Sequence, residues 1–92
     1  SIMNRQINEF IGVAERQNIN FNKDIIMNDI EGNSKIMVKC YCTIVAGQSI
    51  SYYMDVIEKE AFARYKDTLQ EEISKFKADA ERIAKENNVP VI

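Results

Sequence analysis

From Lys35 to Val45 the side chains alternate in character, with Ile36, Val38, Cys40, Cys42 and Ile44 on one parity and Lys35, Lys39, Tyr41 and Thr43 on the other. Successive residues of a strand point to opposite faces, so this run predicts a β-strand with one buried side. After Ala46-Gly47-Gln48 the alternation resumes, Ile50, Tyr52 and Met54 against Ser49, Ser51, Tyr53 and Asp55, which predicts a hairpin partner. Upstream, Glu31-Gly32-Asn33-Ser34 has turn composition, because Gly and Asn tolerate positive φ. Ile19, Phe21, Ile25 and Met27 recur at even spacing, interrupted by Lys23, and predict a first strand within residues 19–30. Three strands with short connections make an antiparallel meander.

The flanks read as helices. Met3, Ile7, Phe10, Ile11 and Ala14 follow three-and-four spacing and predict a helix over about residues 4–17, with Gly12 inside it. Asp55 and Glu58 resemble a capping box, which places the start of a second helix at Val56. Nothing breaks that pattern before Asn87-Asn88-Val89-Pro90. Phe62, Leu69, Phe76 and Ile83 repeat every seven residues, with Tyr65, Ile73 and Ala80 between them. The expected fold is α+β: helix, three-stranded meander, long C-terminal helix. A helix of about 32 residues spans roughly 48 Å and an eleven-residue strand roughly 36 Å, so the helix is expected to overrun the sheet around Phe76 and Ile83.

Ninety-two residues make one domain with a modest core, for which self-association is a common support. Ser1-Ile2 reads as a vector remnant ahead of a start at Met3. No apolar run approaches the roughly 18 residues that a bilayer span needs. Fourteen Ile against one Leu, with nine Asn, fits an AT-rich genome, a low-GC bacterium or its phage.

Chemistry is conspicuous by the residue types missing. Without histidine the chain lacks the commonest general base, the commonest metal ligand and any Ser-His or Cys-His pair. Cys40 and Cys42 share a strand face about 6.5 to 7 Å apart, too far for an unstrained disulfide, and two ligands cannot complete tetrahedral zinc. They read as buried core thiols in a reducing cytoplasm. Gly12, Gly32 and Gly47 are too scattered for a phosphate-binding loop. No enzyme activity, cofactor or metal is expected.

The net charge is -2, and it is evenly spread: residues 1–55 carry five Lys/Arg against six Asp/Glu, residues 56–92 seven against eight. A nucleic-acid binder ordinarily shows a basic stripe, and none is present. The second face of the sheet, with Lys35, Met37, Lys39, Tyr41, Val45 and Tyr53, is amphipathic and aromatic, the character of an interaction surface. Phe76 and Ile83 on the overrunning helix form a second candidate surface. The expected function is a non-enzymatic protein-interaction module, a homodimer or the binder of a heterologous protein, including a phage- or mobile-element-encoded inhibitor of a host protein. The alternative is a nucleic-acid binder using Lys35, Lys39, Tyr41 and Tyr53, since the order helix, three strands, helix resembles that of the small dimeric nucleoid-associated proteins.

Overall fold

A computed structural model describes residues 9–91. Strands β1 (Asn18–Asn28), β2 (Ser34–Val45) and β3 (Ser49–Val56) are followed by helices α1 (Lys59–Arg64) and α2 (Lys66–Glu86). The strands form one antiparallel sheet in the order β1-β2-β3, so the meander expected from the alternation is present and the class is α+β.

Both hairpin turns use the residues that turn chemistry requires. Gly32 has φ +87° in the first, where Asp29 Oδ1 accepts from the backbone N–H groups of Glu31 and Asn33 at 2.9 Å each. Those bonds hold the Asp29 carboxyl below its ordinary range, the Asn33 contact most strongly. In the second turn Gln48 N donates to Val45 O, and Gly47 at the third position has φ +71°, a conformation that costs a side chain but not glycine.

Among the described residues all helical cover lies on one side of the sheet. Leu69, Ile73, Phe76, Ala80 and Ala84 of α2 meet Ile25, Val38, Cys40, Cys42 and Ile44 in a single core. The Phe76 ring stacks parallel to Phe21 at 5.1 Å and stands edge-on to Tyr52 at 6.4 Å. One side chain thus ties α2 to both outer strands. Truncating a phenylalanine of this kind costs about 3–5 kcal/mol, a large share of a small domain's stability.

The far end of α2 closes with a Schellman motif. Asn88 adopts φ +60°, Val89 N donates to Ala84 O and Asn88 N to Lys85 O, which satisfies carbonyls that the helix end leaves free. Val89 is buried, and Pro90 follows where the helix cannot continue. Gly47 N donates to Asn87 O, fastening the β2–β3 turn to this cap.

Four expectations are corrected. Residues 9–17 form no helix, and Phe10, Ile11 and Val13 are almost fully exposed; the rest of the expected helix lies outside the described residues. The exposure of those three side chains means that this stretch packs on no surface of the described residues. The Asp55–Glu58 capping box is absent, because β3 continues through Val56 and Glu58, at the N-cap of α1, makes no side-chain cap bond. The long helix is broken at Tyr65 (φ -111°, ψ 31°), so α1 rests on β2 while α2 crosses the whole sheet. At 21 residues α2 is about 32 Å long, comparable to the strands, and there is no overrun.

The fourth correction concerns faces. The β1–β2 pairing steps from Ile25 opposite Val38 to Ile26 opposite Ile36, so Met37 is an extra residue in β2. Such a bulge shifts the side-chain period by one. Met37 enters the core at 7% exposure, and Ile36 passes to the outer face opposite half-exposed Ile26. The carbonyl of Met37 accepts from Ile57 N at 2.9 Å and Glu58 N at 3.3 Å, anchoring the turn from β3 into α1.

Candidate interaction surface on the outer sheet face

Opposite the helices, cross-strand rows of side chains line the sheet. Register places Asn18, Val45 and Ser49 in one row, Asn20, Thr43 and Ser51 in the next, then Asn22, Tyr41 and Tyr53, then Asp24, Lys39 and Asp55. The Tyr41 and Tyr53 rings lie 5.8 Å apart at 37°, and Thr43 Oγ1 donates to Asn20 Oδ1 at 3.2 Å, so both rows are held in contact across strands. Aromatic cross-strand pairs contribute on the order of 0.2–1 kcal/mol each, and here they pre-position two phenol groups on a rigid backbone.

None of the described residues covers this face: Tyr53 is 64% exposed, Ile26 51% and Tyr41 36%. It is largely neutral. Lys39 stands in register between Asp24 and Asp55, so its row carries two acids to one base.

The expected surface residues divide cleanly. Lys39, Tyr41, Val45 and Tyr53 are on the outer face, with Lys39 and Val45 half-buried. Met37 is in the core, and Lys35 lines a 230 Å³ cleft at the end of the sheet with Met27, Asp29 and Tyr65. Phe76 is fully buried and Ile83 is half-buried against the core, so neither forms the surface expected of an overrunning helix. Ile26 and Ile36 were missed. The signal was available in Ile36-Met37-Val38, three consecutive apolar residues that no strict alternation accommodates.

On the covered side, Cys40 and Cys42 are free thiols at 1% exposure. Burial pushes both above the ordinary thiol value; at Cys40 the nearby Lys23 pulls partly back. A raised value keeps the thiol protonated and poorly nucleophilic. Lys23 points to this same side and pairs with Glu72 at 3.8 Å. The Tyr52 hydroxyl is buried without a hydrogen-bond partner among the described residues, and burial raises its value, with Glu81 and Cys42 adding to the effect. Among the described residues no three His, Cys, Asp or Glu gather as a metal site, and no helix is long and apolar enough to cross a membrane.

No known family model matches the chain, and neither a curated protein nor a solved structure matches it in sequence or fold.

Proposed function

We propose that this chain is a non-enzymatic protein-interaction module that binds a partner protein through the outer face of its sheet. The observation that carries the reading is the uncovered Tyr41–Tyr53 pair, held ring to ring on a sheet whose opposite face holds the core. Tyrosine offers a large contact area at little entropic cost together with a hydroxyl for hydrogen bonding, and rigid exposed tyrosines are typical anchors of protein interfaces. The surrounding Asn, Ser and Thr supply adaptable hydrogen-bond partners and a polar rim.

Charge favours a protein over a nucleic acid as the partner. A phosphate backbone needs an uncompensated row of cations, whereas Lys39 here lies between two aspartates and Lys35 has left the face. The test is retention from a bacterial lysate on immobilised wild-type protein and on Tyr41→Asp, with circular dichroism to check that both are folded. A stoichiometric protein retained by the wild type and lost with Tyr41→Asp is the expected result. Equal retention by both, or retardation of DNA by the wild type in a low-salt gel shift, would overturn it.

A further inference from the structure

The sheet has two edges, and they are built differently. Along β1, Lys23 points inward and pairs with Glu72, while Asn18, Asn20, Asn22 and Asn28 contribute weak strand formers. An inward-pointing charge is one of the devices by which proteins keep an edge strand from pairing with another chain. β3 has no inward-pointing charge, and Asp55 is its one charged, weakly strand-forming residue. Its eight residues, Ser-Ile-Ser-Tyr-Tyr-Met-Asp-Val, contain no Lys, Pro or Gly, and its register with β2 is continuous from end to end.

The same edge is only half covered by helix. Ile50, Tyr52 and Met54 are partly exposed, whereas their neighbours in register on β2, Ile44, Cys42 and Cys40, are at 0–1%. Apolar side chains at a rim of this kind gain burial if the sheet continues beyond it.

We infer that β3 pairs antiparallel with β3 of a second copy about a two-fold axis at Tyr53, which joins two three-stranded sheets into one of six. β3 is self-complementary in that register. Ile50 meets the partner's Val56 and Tyr52 meets the partner's Met54, so the inner row becomes a continuous apolar seam. On the outer face Tyr53 meets the partner's Tyr53, extending the Tyr41–Tyr53 pair into a row of four rings. Asp55, the strand's one charge, meets the partner's Ser51, so no like charges oppose. Sliding the pair by one residue would turn each apolar row against a polar one, which the period-two geometry forbids. Moving the axis to Tyr52 would leave Val56 without an apolar partner. This inference extends the interaction reading by naming a second copy as one partner, and it stands or falls separately from the outer-face surface.

Ser51 and Asp55 lie on the outer face at the edge, away from the core, so each can be replaced by cysteine without a packing cost. The two positions are four residues apart, about 13 Å along the strand, so a short bis-maleimide links position 51 of one copy only to position 55 of another. The expected result is a dimer by light scattering for the wild type, covalent dimer when Ser51→Cys and Asp55→Cys proteins are mixed, and none from either alone. Wild-type protein, with only its buried thiols, controls for Cys40 and Cys42. A monomer over a wide concentration range would overturn the inference while leaving the outer-face reading intact. So would a dimer in which the mixture links no better than the single variants.

Discussion

Tyr41 and Cys42 are consecutive residues of the central strand, yet one keeps 36% of its surface and the other 1%. The two faces of the sheet differ in the same way along β2 from Val38 to Ile44. The inner face is mainly apolar and aromatic and is covered by α2 along its centre; the outer face carries Asn, Ser, Thr and Tyr in register and is closed by nothing described. An antiparallel sheet of a small domain can afford one wet face. What the contrast teaches is a division of labour: stability resides in one parity of residues and the proposed recognition surface in the other, so the two can be perturbed independently.

The sharpest way to break the comparison is to remove its centre on the inner face. Phe76→Ala is expected to lower unfolding free energy by about 3–5 kcal/mol, read as a shift of the urea midpoint, because the cavity loosens β1 and β3 together. A cost under about 1 kcal/mol would mean that α2 does not close the core.

The bulge allows a comparison of adjacent residues whose faces are exchanged. Met37→Asp buries an unpaired charge and is expected to cost about 3–5 kcal/mol. Ile36→Asp, on the outer face, is expected to stay within about 1 kcal/mol, the ordinary range for surface changes. Reversal of that order in chemical denaturation would place the bulge elsewhere.

Titration sharpens the contrast from the inner side. Cys40, Cys42 and Tyr52 have values raised by burial above the ordinary 9.0 for thiols and 10.0 for the phenol. The fold favours their neutral forms, so their contribution is complete below those ordinary values and is lost as pH rises through the higher folded ones. Melting temperature is expected to fall steeply into the alkaline range, and less steeply in Cys40→Ala/Cys42→Ala. Parallel profiles would mean that the thiols are not buried.

The smallest expected effect lies outside both faces, in the β1–β2 turn. Asp29 has a lowered value, so its contribution is present above the ordinary 3.8 and is lost as pH falls through the lower folded value. Asp29→Asn is expected to lower stability slightly at neutral pH, leave it unchanged at low pH and so flatten the acid limb of the profile. An unaltered acid limb would show that the turn does not depend on the carboxylate.

The three strands were legible in sequence because alternation is a local, strong signal, and Gly32 and Gly47 marked the turns between them. Four of the surface residues, Lys39, Tyr41, Val45 and Tyr53, were legible for the same reason. Met37 and Lys35 were misplaced because a bulge inverts parity without changing composition. Phe76 and Ile83 were assigned to an overrun because no Pro or Gly marks the break at Tyr65, which is set by where α1 and α2 find apolar partners. The three-and-four spacing at Phe10, Ile11 and Ala14 showed a propensity but could not show whether a packing surface lay within reach, and those residues stand exposed.

The most direct test of the two-faced account places the same charge at neighbouring positions of β2 and measures unfolding in urea for Tyr41→Asp and Cys42→Asp. The account predicts that Cys42→Asp loses several kcal/mol, on the order expected for a buried unpaired charge, while Tyr41→Asp stays within about 1 kcal/mol. Comparable losses at both positions would mean that the outer face is packed as tightly as the inner one, and would contradict its proposed role as an open binding surface.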